Sequence, residues 1–143
     1  MTVPAAPPGL IDPVTEPLPP AVPLGESGSV RRGIPYAVRP GFRPLQLDLY
    51  RPAGAGPHPV VLFLHGGGWR LGTRAVFCPT WRHWQPAPFA RIVAAGFAVA
   101  SAEYRLSGEA VFPAQLEDVT DALRWIGARA DKLGVDMGRV VVW

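Results

Sequence analysis

An α/β fold follows from three stretches of this 143-residue sequence: a mostly parallel sheet with an antiparallel opening hairpin, flanked by helices. Val60–Leu64 is a short, continuous apolar run, the pattern of a strand buried on both faces of a parallel sheet. Pro88–Ala95 carries apolar residues at helical spacing, stops at Gly96, and leads into a second apolar run, Phe97–Ala102. Strand, helix and strand in that order imply a right-handed parallel crossover. Upstream, Leu45–Tyr50 alternates apolar and polar residues with period two, which predicts a half-buried strand.

The chain divides into a proline-rich leader, residues 1–30, and a domain, residues 31–143. Proline removes backbone donors and fixes φ, so neither helix nor central strand suits the leader. It reads as disordered or extended. Gly25-Glu26-Ser27-Gly28-Ser29 half-matches a Gly-x-Ser-x-Gly elbow, but Ser29 stands at the fifth position. No buried strand precedes it and no helical pattern follows. Gly33–Val38 and Leu45–Tyr50, separated by the turn residues Arg39–Pro44, form an antiparallel pair. Arg51–Pro57 then breaks the chain before the buried strand.

That strand runs directly into His65-Gly66-Gly67-Gly68-Trp69. Glycines let the backbone turn sharply and bring N–H groups to bear on one negative oxygen. The loop over 70–87 holds Phe77, Trp81 and Trp84; with Trp69 these aromatics are candidate walls of an acyl or alcohol pocket, Trp69 foremost. Phe112–Ile126 reads as a helix with Pro113 in its first turn. Leu116, Val119, Leu123 and Ile126 form the stripe expected to lie on the sheet. Glu117, Asp118 and Asp121 are expected on the solvent side, as helix-dipole partners rather than metal ligands. Lys132–Arg139 exits that helix, and Val140–Trp143 begins another buried strand.

The composition is globular, 48% hydrophobic and 17% charged. The net charge of +3 comes from scattered arginines. No basic stripe or nucleic-acid motif is present, so nucleic acid is not an expected partner. The single cysteine, Cys78, excludes an intrachain disulfide. No secretory signal opens the chain, and no apolar run approaches the roughly 18 residues of a membrane span. A cytoplasmic protein without membrane contact is expected. His58, His65, His83 and Cys78 lack metal-ligand spacing, so neither metal nor cofactor is expected.

The strand followed by His-Gly-Gly-Gly-Trp resembles the oxyanion-hole segment of α/β-hydrolases, in particular the esterase and lipase group similar to hormone-sensitive lipase. Glu103-Tyr104-Arg105-Leu106 resembles that group's Asp-Tyr-Arg-Leu segment, with glutamate for aspartate. The helix at 112–126 also matches it. The resemblance covers Gly33 to Trp143, the N-terminal part of such a domain. It implies ester hydrolysis through an acyl-enzyme, with the Gly67 and Gly68 N–H groups holding the oxyanion. It also implies substrate contact by Gly66 and Trp69, and support from His65, Tyr104 and Arg105. His65 orients the turn, and Glu103 braces the loop near the glycines.

In that group the last strand leads into Gly-x-Ser-x-Gly, with the acid and histidine of the triad later still. Here the sequence stops at Trp143. Ser101 and Ser107 lack an elbow, and no residue occupies a triad position. The expectation is a domain truncated before the nucleophile, inactive alone, with a small-molecule ester as substrate once completed. A truncated reading frame is preferred over a split enzyme whose complementing chain carries the nucleophile. A noncatalytic interaction module is the rival reading.

Overall fold

The antiparallel opening expected from Leu45–Tyr50 extends over three strands in the computed structural model, which describes residues 11–143. β1 (Val22–Pro23) pairs antiparallel with β2 (Gly28–Ala37), and β2 with β3 (Leu45–Pro52). β4 (His58–Leu64) and β5 (Ala98–Ala102) are parallel and are connected through α1 (Pro88–Ala94). β5 also pairs antiparallel with β3, while β6 (Val135–Val142) lies parallel to β4. The sheet order is therefore β1-β2-β3-β5-β4-β6. α2 (Ala114–Ala128) and the short α3 (Ala130–Leu133) connect β5 to β6.

Each face of the sheet has its own core. On one, Ile34, Leu45, Leu47, Leu49, Val60 and Leu62 pack with Ala122, Trp125 and Ile126 of α2. On the other, Val30, Tyr50, Val61, Phe63 and Val99 pack with Phe89 and Val93 of α1. β3 is consequently buried on both faces, a correction to the half-buried strand that alternation predicted. Its polar residue Asp48 is only 2% exposed. Ion pairing, not water, satisfies it.

α2 also sits differently on the sheet than its apolar stripe implied. Ala114, Gln115, Asp118, Ala122, Trp125 and Ile126 are the buried residues. Leu116 is exposed, and Asp118 is fully buried instead of solvated. The physical reason is charge pairing: Arg39 and Arg105 both reach the Asp118 carboxylate, at 3.1 and 2.8 Å. A neutralised, hydrogen-bonded carboxylate is tolerated where a free one is not. Pro113 precedes the helix at its cap, one residue outside the position expected.

Residues 11–30, expected to be part of a disordered or extended leader, form a turn and a short strand that hydrogen-bond to the domain. The turn at Asp12–Glu16 presents carbonyls that accept from side chains near the end of α2. Pro13 O accepts from Trp125 Nε1 at 2.8 Å and from Arg129 Nη1 at 3.2 Å. Glu16 O accepts from Arg129 Nη1 at 2.8 Å. Gly25–Ser29 makes the turn from β1 into β2, closed by Leu24 N–H donating to Gly28 O at 2.8 Å. The rest of the leader, residues 1–10, lies outside the described residues. β6 begins at Val135, earlier than the expected Val140. Among the described residues it borders β4 alone, and Val141, Val142 and Trp143 are 50, 50 and 59% exposed.

Candidate active site

β4 delivers His65 into the interior and Gly66–Arg70 to the surface. The turn that follows depends on unusual backbone. Gly67 and Gly68 have φ of 126° and 61°, and Trp69 has φ of 64°. A Cβ on Gly67 would sit 1.9 Å from Leu71 O, so only glycine fits. Left-handed backbone at Trp69 costs on the order of 1–2 kcal/mol. Two contacts hold it there: Ser107 N–H donates to Trp69 O at 2.8 Å, and the indole packs 5.4 Å from the Tyr104 ring. Arg70 N–H donates to Gly67 O at 3.1 Å and closes the turn.

Among the described residues, nothing accepts a hydrogen bond from the N–H groups of Gly66, Gly67 or Gly68. All three glycines are exposed. Such donors are available to an incoming oxygen without first breaking a bond within the protein.

Beneath the turn, His65 and Tyr104 form a bonded stack. His65 is 5% exposed and its ring stacks on Tyr104 at 4.4 Å. His65 Nδ1 lies 2.9 Å from Gly66 O, and since a carbonyl only accepts, Nδ1 carries the proton. Tyr104 OH donates to His65 O at 2.6 Å. Burial raises the Tyr104 phenol above its ordinary pKa, which keeps that donor protonated. Gly72 lies against the same ring: a Cβ there would meet His65 Nδ1 at 2.2 Å and Gly66 O at 2.4 Å.

Tyr104 is in turn fixed through its neighbour. Arg105 N–H donates to Asp118 Oδ2 at 2.9 Å, and its guanidinium holds the same carboxylate through Nε and Nη2. The hydrogen bond to Asp118, more than the opposing desolvation, raises the Arg105 pKa. Gln115 Nε2 donates to Arg105 O at 2.9 Å. α2 thereby anchors the segment that carries Tyr104 against His65. Arg105 reaches the glycine turn only through this backbone.

Sequence reasoning missed Asp48 and Arg74. Arg74, in the loop after the glycines, donates to Asp48 Oδ1 at 3.0 Å, Gln46 Oε1 at 2.9 Å and Glu103 Oε2 at 2.5 Å. Ser101 Oγ donates to Arg74 O at 2.7 Å. Gln46, Asp48, Ser101 and Glu103 share one face of the paired strands β3 and β5. Their common parity in two otherwise apolar strands was the available signal. Glu103 holds the loop through Arg74.

A cavity of about 480 Å³ opens beside the turn, lined by Leu64, Trp69, Ser107, Phe112, Gln115, Leu116 and Val119. Trp69 is in its wall; Trp81 and Trp84 are not. They continue a stack from Phe63 through Phe77 on the α1 side of the sheet. Among the described residues, no group of His, Cys, Asp and Glu is placed to hold a metal ion. No described helix is long and apolar enough to cross a membrane.

A mixed sheet whose central parallel strand ends in an open glycine turn is the N-terminal part of an α/β-hydrolase of the esterase type. Residues 47–143 match the BD-FAE family model, and the chain belongs to that family. Carboxylesterase NlhH of Mycobacterium tuberculosis is 42% identical over 84 residues, which are 59% of this chain and 24% of that protein. Ethyl acetate hydrolase of Pseudomonas putida is 34% identical over 104 residues, 68% of this chain and 30% of that protein. Among solved structures, a bacterial heroin esterase superposes with a TM-score of 0.62 at 32% identity, covering 81% of this chain and 34% of the other. The hyperthermophilic esterase from Pyrobaculum calidifontis gives 0.59 at 33% identity, covering 91% and 36%. The chain thus spans 24% to 30% of the length of these curated relatives.

Proposed function

We propose that this chain supplies the oxyanion-binding side of a carboxylic ester hydrolase acting on small-molecule esters. The unpaired, exposed N–H groups at Gly66–Gly68, set on the bonded His65–Tyr104 stack, carry that reading. As a nucleophile adds to the ester carbonyl, negative charge moves onto its oxygen. Donation from Gly67 and Gly68 stabilises that charge, and each such donor is typically worth about 3 kcal/mol in the transition state. Gly66 and Trp69 flank the bound ester, with its apolar portion in the cavity beside Trp69. His65, Tyr104 and Arg105 with Asp118 keep the turn in shape.

The nucleophile lies elsewhere, because the 143 residues hold no Gly-x-Ser-x-Gly. Leu64 N–H donates to Trp143 O at 2.8 Å, so polypeptide continuing from β6 would pass beside His65 and Gly66. That continuation, or a complementing chain in its place, is where we assign the serine. The exposed apolar residues of β6 favour such a completed sheet over a free-standing interaction module. A single cysteine suits a reducing, cytoplasmic setting.

Grafting residues 47–143 in place of the matching segment of carboxylesterase NlhH tests this reading. The chimera is expected to hydrolyse short-chain aryl esters. The 143-residue chain alone is expected to fall short of it by about 10⁶-fold, the typical effect of losing a triad serine or histidine. A folded but inactive chimera, or turnover by the chain alone that survives a serine-directed phosphonate, would overturn it.

A further inference from the structure

At the opposite end of the sheet, the charge balance is left open. A cavity of about 160 Å³ lies between β2, β3 and the α3–β6 turn, bordered by Ser29, Arg31, Arg51, Asp131, Lys132 and Gly134. Buried carboxylates hold the arginines nearer the glycine turn: Arg39 and Arg105 pair with Asp118, and Arg74 with Asp48. Here three cations, Arg31, Arg51 and Lys132, border one cavity and none is in an ion pair among the described residues. Arg31 donates to the Pro19 carbonyl, and Arg51 Nη2 to Gly54 O at 3.2 Å. Arg51 Nε is buried with no acceptor among the described residues. The Lys132 ammonium has no partner among the described residues, and Asp131 offsets only part of the charge. Residues 1–10 contain no acidic side chain that would complete the balance.

We propose that this cavity binds a small tetrahedral oxyanion, a phosphate or a sulfate. Guanidinium forks suit such oxygens, and a lysine adds a compact charge. The space is well below the roughly 300–1,000 Å³ of sites for whole metabolites, so the group bound is a free ion. β4 separates this site from the glycine turn by about 20 Å, the span of seven strand residues. Binding here is therefore independent of the ester-hydrolase reading.

The test is titration of the isotopically labelled chain with inorganic phosphate at constant ionic strength, followed by amide and arginine Nε resonances. Saturable shifts at Ser29, Arg51, Lys132 and Gly134 are expected. Lys132→Gln, at an exposed position that leaves the core intact, is expected to weaken phosphate binding at least about tenfold. Lys132→Arg should retain it, and Arg82→Gln on the exposed loop should change nothing. Sulfate should compete, and acetate should not. Shifts that fail to saturate, equal affinity for acetate, or unchanged affinity in Lys132→Gln would each overturn the proposal.

Discussion

The glycine turn and the two ion-pair clusters behind it use hydrogen bonds in opposite ways. At Gly66–Gly68 the donors are exposed and unspent, on backbone that leads into the strained left-handed Trp69. At Asp118 and Asp48 the acceptors are buried and saturated by Arg39, Arg105, Arg32 and Arg74. Unspent capacity is useful only if the surrounding structure cannot relax to consume it. The saturated clusters provide that resistance, one under Tyr104 and one under the loop after Gly72.

Breaking the clusters should therefore cost stability first, and disturbing the turn should cost less. Asp118→Ala leaves the partly buried guanidinium groups of Arg39 and Arg105 without their shared carboxylate. It should lower the unfolding free energy by about 3–5 kcal/mol, read from urea denaturation. Arg74→Ala strips the buried Asp48 of one of its two cations and should cost about 2–3 kcal/mol in the same measurement. Gly68→Ala meets no atom within 4 Å, so its effect reports only the left-handed backbone, about 1–2 kcal/mol. Tyr104→Phe removes the donor to His65 O and should cost about 1 kcal/mol. In the grafted esterase the same change should lower kcat with little change in KM. Equal losses for Asp118→Ala and Gly68→Ala would erase the distinction between the two regions.

A further effect is one of pH. Burial raises the phenol pKa of Tyr36, Tyr50 and Tyr104 above the ordinary 10.0. The folded chain therefore keeps protons that the unfolded chain releases. Their contribution is fully present below about pH 10 and is lost as pH rises through the raised values. Denaturation midpoints compared at about pH 8 and about pH 11 should show this decline.

Local patterns made much of the fold legible. Val60–Leu64, the glycines, and the helix-then-strand at 88–102 announce themselves within a few residues. The face of α2 did not, because Asp118 is buried only through Arg105, 13 residues earlier, and Arg39, 79 residues earlier. A sequence window sees a carboxylate and assigns it to water. The same holds for Arg74, whose carboxylate partners lie 26 and 29 residues away. At the site, the glycine motif was readable, whereas the bonds that keep it taut are long-range and were not.

Gly72 extends the signature past its familiar letters. The imidazole's bond to the Gly66 carbonyl occupies the very space where any other residue at 72 would carry its first carbon. A methyl group introduced there would wedge the ring from its carbonyl with the triple glycine untouched. A search that demands only His-Gly-Gly-Gly would accept such a variant as intact, although its cradle had been sprung from behind.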